Sequence, residues 1–306
     1  MSLYREIQGY TFQSLSSDPS PVVPGQIWYN TTTNTVRSSK LVGTWASVNS
    51  MVTPRGGSAT IGIQTAALAI GSGPPSTGVT EKYDGTNWTS VTAAPYGAGY
   101  SGAGTQNSAL AFGDSLTGVT TTAKYDGTNW TVVNSMTTAR GTAGGCGTQT
   151  AALACGGRLA VPSPTSTELY DGTNWTVVGN MSFNGRPIGG QRAIGISTAA
   201  LAMGGSSQFP STFQIWQTES YNGTSWTGVN NLNVAKSQCG AAGSQTLGLM
   251  YSSTTEQWTD IAWYTDTAAP ASVPNGCGSQ TSALAVGPAC LEWEYTGVST
   301  NTITIS

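Results

Sequence analysis

The side chains in this sequence that could do chemistry are few and widely spaced. The 306-residue chain has no histidine, so the commonest general base and the commonest metal ligand are both missing. Its five cysteines, Cys146, Cys155, Cys239, Cys277 and Cys290, are odd in number and form no Cys-x-x-Cys pair. That pattern indicates neither a zinc site nor a disulfide framework. A cysteine nucleophile would need a base beside it, and no histidine can serve. Cys146 and Cys277 share a repeat column with Ile61, Ala103, Ile194 and Ala242, which predicts buried thiols acting as small hydrophobes. Asp84, Asp126 and Asp171 also recur in one column. Acidic residues do not alternate around them as in a calcium loop, so turn capping is the expected role.

Composition narrows the classes further. Eleven basic and fourteen acidic residues, 8% of the chain, give a net charge of −3. Scattered cations in a mildly acidic chain leave no footprint for nucleic acid or anionic lipid. No apolar run approaches the roughly 20 residues that cross a bilayer, so membrane insertion is not expected. Ten Trp and twelve Tyr are too many for a disordered chain. The start, Met1-Ser-Leu-Tyr-Arg-Glu-Ile, lacks a cationic segment followed by an apolar one, so synthesis in a cytoplasm without a signal peptide is expected.

The elements that position these residues are repeats. Tyr-Asp-Gly-Thr-Asn-Trp occurs at Tyr83 to Trp88, Tyr125 to Trp130 and Tyr170 to Trp175, with a variant at Tyr221 to Trp226 and a bare aromatic pair at Trp258 and Trp263. Glu81, Glu168, Glu219 and Glu256 sit two residues before the first aromatic. A second column, Gly62, Gly104, Gly147, Gly195, Gly243 and Gly278, opens stretches like Gly-x-Gln-Thr-x-Ala-Leu-Ala-x-Gly. Each unit reads as four short strands: small residues around the Gly, a Gln-Thr turn, Ala-Leu-Ala, the run into Tyr, and Trp-Thr-x-Val. Asp-Gly supplies the positive φ of a tight hairpin. Four strands in about 40 to 50 residues is a propeller blade. Alanine suits a crowded inner position, and the aromatics suit the widening space between blades.

Six Gly-led stretches face five internal aromatic pairs. Val42-Gly-Thr-Trp45-Ala-Ser-Val48 matches the fourth strand without a repeat before it, whereas the last unit runs to Tyr295-Thr-Gly297 and ends without its Trp. The expected fold is therefore an all-β, six-bladed propeller over residues 41–306, closed by an N-terminal strand that covers open sheet edges. Residues 1–40 are expected to form an arm and a hairpin with strands near Ile27 and Thr35.

The repeats resemble the kelch family, in which a glycine pair ends the second strand and a Tyr and a Trp mark the third and fourth. Gly156-Gly157 with Tyr170 and Trp175 carries the resemblance best, then Gly204-Gly205 with Tyr221 and Trp226. Arg55 and Arg140 resemble the basic residue that often opens a kelch repeat. Gly71-Ser72, Gly113-Asp114 and Gly287-Pro288 depart from the pair. The Asp-Gly-Thr-Asn-Trp run is also similar to the Asp boxes of sialidase propellers, but its spacing differs. Of seven arginines, Arg5 and Arg37 precede the ring, and nothing marks three others as convergent. The copper chemistry of galactose oxidase, another kelch-like propeller, requires histidines.

The hairpin Gly25-Gln-Ile-Trp-Tyr-Asn-Thr-Thr-Thr-Asn-Thr-Val-Arg37 is similar to short N-terminal hairpins in structural proteins of tailed bacteriophages, particularly marine ones. That resemblance implies a non-enzymatic virion protein of tail-fibre, tail-tip or head-decoration type. It would be held to other virion proteins through residues 1–40, with the propeller exposed on the particle, and would need no cofactor and no catalytic or metal-binding residue. The surface left for recognition is the long loops at 72–80, 158–167 and 206–218. Phe209, Phe213 and Trp216 make the third of these aromatic, suited to a host-surface glycan or protein. The alternatives are a kelch-type protein-interaction module and a carbohydrate-binding or carbohydrate-active propeller.

Overall fold

The computed structural model describes residues 13–22, 26–71, 78–96, 101–114, 119–157, 165–182, 188–189, 192–207, 213–270 and 273–303. Every regular element in them is a β-strand. Blade one contains Ala59–Ile63, Ala66–Ile70, Thr80–Tyr83 and Trp88–Val91, joined in that order as an antiparallel meander. Blades two to five repeat it over 101–133, 144–180, 192–229 and 240–266. The fold is thus a β-propeller.

The expectation of six like blades is corrected to five four-stranded blades. The strands of the last unit, Asn275–Gly278, Ser282–Val286 and Cys290–Ile303, belong to a six-stranded sheet with Thr35–Val48, Ile27–Asn30 and Gln13–Leu15. Two of these strands run 14 residues without a turn, so this sheet does not stop at four. The last aromatic is also shifted. Trp293 pairs with Ala283 as Tyr83 pairs with Ala67, so Trp293, not Tyr295, occupies the third-strand place.

The repeat columns have local causes. Gly62, Gly104, Gly147, Gly195, Gly243 and Gly278 have φ between 105° and 118°, and a Cβ on Gly62 would lie 2.3 Å from the Ala66 carbonyl oxygen. Asp84 Oδ1 accepts the amides of Thr86 and Asn87 at 2.9 and 2.7 Å, and Asp126 and Asp171 repeat this geometry. These contacts hold the three carboxyls below the usual range. The aspartates are turn caps.

Packing between sheets explains Ala-Leu-Ala. Alternate residues of a strand face opposite sides. Ala67 and Ala69 therefore face one neighbouring sheet, while Leu68 packs with Ala109, Ala111 and Tyr125 of blade two. The alanines thus accept the adjacent sheet's leucine. Trp88, Trp175, Trp226 and Trp263 are buried at these interfaces, each beside the aromatic of its own third strand. Trp130 is only half-buried.

Contacts divide the chain into two units, Thr44–Glu294 and Met1–Gly43 with Tyr295–Ser306. In the smaller, Gln13–Leu15 runs parallel to Ile27–Asn30, which pairs antiparallel with residues 35–38. Asp18 joins them, ion-paired to Arg37 at 2.7 Å and accepting from Nε1 of buried Trp28 at 3.2 Å. Much of the arm expected over residues 1–24 lies outside the described residues.

Candidate functional site: the loop face and the channel mouth

The connections between second and third strands leave from the end of the second strand. That end pairs with the start of the first: Ala59 with Ile70 in blade one, Arg192 with Met203 in blade four. The ends of the second strands and the beginnings of the innermost strands therefore lie at one end of the propeller.

Of the three aromatics expected there, Trp216 is 54% exposed. Phe209 lies outside the described residues. Phe213 lies in a short strand whose backbone pairs with Ser206–Ser207. That strand belongs to a three-stranded sheet, completed by Ile188–Gly189, which the sequence reading missed. Two-residue strands carry too little pattern to read. The insertion is docked, not free: Ile215 is buried and bridges Lys236, and the Trp216 carbonyl accepts Leu232 N at 2.9 Å. Trp216 thus stands out from a backbone fixed on both sides.

The groups able to exchange protons are occupied. Glu168, wholly buried, accepts Thr137 N, Thr138 N and Arg140 Nη2 at 2.7, 3.0 and 2.8 Å. Arg140 Nη1 in turn donates to Gly156 O and Ser166 O. Glu81 accepts Val52 N, Thr53 N and Arg55, while Glu256 accepts Asn233 N, Val234 N and Lys236. Burial pushes the Glu168 carboxyl up, but Arg140 and Thr137 overcome that and hold it below its usual range. Glu219 is raised by burial, which Ser182 opposes among the described residues. Each carboxylate clamps the segment entering its own blade to the third strand.

All five cysteines are buried and none is in a disulfide, and the burial of Cys146 and Cys277 is as their column suggested. Burial pushes the Cys239 thiol up to about 11 and Cys277 up to about 12. Thiols in that state are not nucleophiles at neutral pH. No group of His, Cys, Asp and Glu among the described residues could hold a metal.

A cavity of about 440 Å³ runs between the first strands of the five blades and Asn275–Gly278, lined mainly by Gly, Ala, Ser and Thr. The one charged side chain on its wall is Arg192.

The sequence matches no family model and no curated protein. Function must therefore be argued from the geometry. Among the described residues, no helix is long and apolar enough to cross a membrane.

Proposed function

We propose that this chain is a non-enzymatic structural protein of a tailed-phage particle, presenting a propeller whose loop face recognises a surface outside the particle. The division of the chain carries the reading: residues 44–294 pack as one unit, and residues 1–43 with 295–306 pack as another. One unit is free to display while the other attaches to neighbouring particle proteins. The clamped carboxylates and high-pKa thiols fit a molecule whose buried polar groups hold structure instead of reacting. Quantitative mass spectrometry of purified particles tests this. A fixed stoichiometric copy number is expected, and absence from particles overturns the reading.

The kelch-like ring of five blades is itself proposed to be closed by the part of the six-stranded sheet within 44–294. Trp45 lies 5.2 Å from Trp293, beside the 4.9–5.4 Å of the other third- and fourth-strand pairs. Gln64 Nε2 donates to Trp293 O at 3.0 Å, as Gln106, Gln149, Gln245 and Gln280 donate to the preceding sheet. Met51, Ala67 and Trp88 share a core cluster with Leu284 and Val286.

On the loop face, Trp216 is the anchor expected for a glycan ring or a partner protein. Glycan-array and host-cell binding should fall at least about tenfold in Trp216→Ala. Undiminished binding removes Trp216 from the site.

A further inference from the structure

Arg192 opens the first strand of blade four at the loop end of the channel. The residues at its level in the other sheets, Ala59, Ser101, Gly144, Gly240 and Asn275, are all short. Its side chain can therefore cross the channel mouth. It passes blade five to donate to Cys239 O and Pro274 O, and reaches Asn275 Oδ1 at 3.2 Å. None of these acceptors carries a charge. Arg37, Arg55, Arg140 and Lys236 each have a carboxylate, whereas Arg192 has none among the described residues. Arg192 is half-buried, and a cation partly withdrawn from water without a counter-charge is disfavoured. Burial accordingly pulls its pKa down.

The surrounding wall has donors without acceptors. Ser58 Oγ, Thr60 Oγ1, Thr142 Oγ1 and Asn275 Nδ2 are buried with no hydrogen-bond partner, and all four residues line this cavity. Ser58 and Asn275 are only 2% and 3% exposed. Asn275 is the most telling. Its Oδ1 faces the guanidinium, so its amide nitrogen offers two N–H groups close to a positive charge. Buried polar atoms are nearly always satisfied, and four orphans lining the cavity that also holds an uncompensated cation call for an acceptor that is also negative. Water would satisfy the hydroxyls but would leave Arg192 uncompensated.

We propose that the channel mouth binds a compact oxyanion, a phosphate, sulfate or carboxylate group. Arg192 supplies the charge, Asn275 Nδ2 donates beside it, and the hydroxyls of Ser58 and Thr142 complete the shell. Trp216 does not line this cavity, and the site is independent of whether the protein belongs to a particle.

Thermal unfolding of the full chain provides the test, with sodium chloride exchanged for sodium phosphate, sulfate or acetate at constant ionic strength. A saturable rise in Tm with at least one anion is expected, since a ligand bound only by the folded state stabilises it. A response confined to phosphate and sulfate assigns a tetrahedral group, and one confined to acetate assigns a carboxylate. Arg192→Gln should weaken the apparent affinity about tenfold or more. Asn275→Asp places a carboxylate against Arg192 within the chain. Its Tm should be raised without added anion and respond to none, which keeps the test decisive should Arg192→Gln fail to fold. No saturable rise with any anion, or an undiminished rise in Asn275→Asp, overturns the proposal.

Discussion

Blades two and three share the hairpin Tyr-Asp-Gly-Thr-Asn-Trp letter for letter, yet they are held together differently. In blade three Glu168 and Arg140 form a fully buried pair that also binds the backbone on both sides. In blade two Ala123 stands at the glutamate's place, and the entering segment reads Ala94-Pro-Tyr-Gly-Ala98, without a cation. The six-stranded sheet makes the same exchange, with Leu291 opposite Ala285 and Val273 in the entering segment. Blades one, three and five have both glutamate and cation, and blade two and the six-stranded sheet have neither. A lone buried charge is far worse than none, whereas an apolar replacement of the whole pair is tolerable. The clamp is therefore a module of blade structure.

The sharpest break of this comparison is Arg140→Met. It strands Glu168, so stability by chemical denaturation should fall by about 3–5 kcal/mol. Adding Glu168→Ala, which imitates blade two, should restore a large part of that loss. Strictly additive losses would show that the two residues do not act as a unit.

A smaller contrast lies in the fourth strand. Trp175 is buried and donates to Thr122 Oγ1 at 3.0 Å, whereas half-buried Trp130 donates to the Thr92 carbonyl. Trp175→Ala should cost about 3–5 kcal/mol and Trp130→Ala at least ~1 kcal/mol less. Equal losses would erase the distinction.

Next comes the interblade glutamine. Gln149 of blade three donates to Ala109 O and Tyr125 O of blade two at 3.0 and 2.7 Å, but the matching residue of blade four is Ser197. Gln149→Leu should lose about 1–3 kcal/mol by leaving two carbonyls unpaired. Ser197→Gln should gain about 0.5–1.5 kcal/mol if it reaches Ala152 O and Tyr170 O. A gain absent by thermal denaturation would limit the latch to the blades that already have it.

The smallest effect is in pH. Glu168 is held below its ordinary value near 4.5, so its contribution is present above that value and is lost as pH falls through the lowered one. Glu219 is raised, so its charge opposes folding at neutral pH, and that opposition fades on acidification. Glu168→Gln should therefore destabilise at pH 7, with the difference vanishing in acid. Glu219→Gln should be neutral or stabilising at pH 7. Identical pH profiles would contradict the assignment of the two environments.

What the sequence revealed followed from local rules. The turn aspartates, the buried cysteine column and the four-strand blades each depend on residues a few positions apart. The Glu and Arg columns were both visible, but their union was not, because Arg140 and Glu168 meet across 28 residues and two intervening strands. The Gln-Thr pairs read as turns, yet the glutamine side chain acts on the neighbouring sheet, a contact no single repeat encodes. Trp293 was passed over for Tyr295 because Glu292-Trp-Glu-Tyr offers two aromatics of the same parity, and only the register with Ala283 separates them. At the channel mouth, Arg192 is one cation in a small-residue column, and its isolation appears only when the strands are gathered around a cavity.

The loop face, the channel and the display reading all rest on a closed ring, and closure rests on Trp45. Its Nε1 donates to Thr255 Oγ1 at 3.1 Å, as Trp175, Trp226 and Trp263 donate to Thr122, Thr167 and Thr218. The most direct measurement is equilibrium unfolding of Trp45→Ala, followed by tryptophan fluorescence and circular dichroism. The account predicts a loss of about 2–4 kcal/mol in one transition shared by both probes, because opening one junction weakens the whole ring. A change below about 0.5 kcal/mol, the level of an ordinary surface substitution, would contradict closure through this strand.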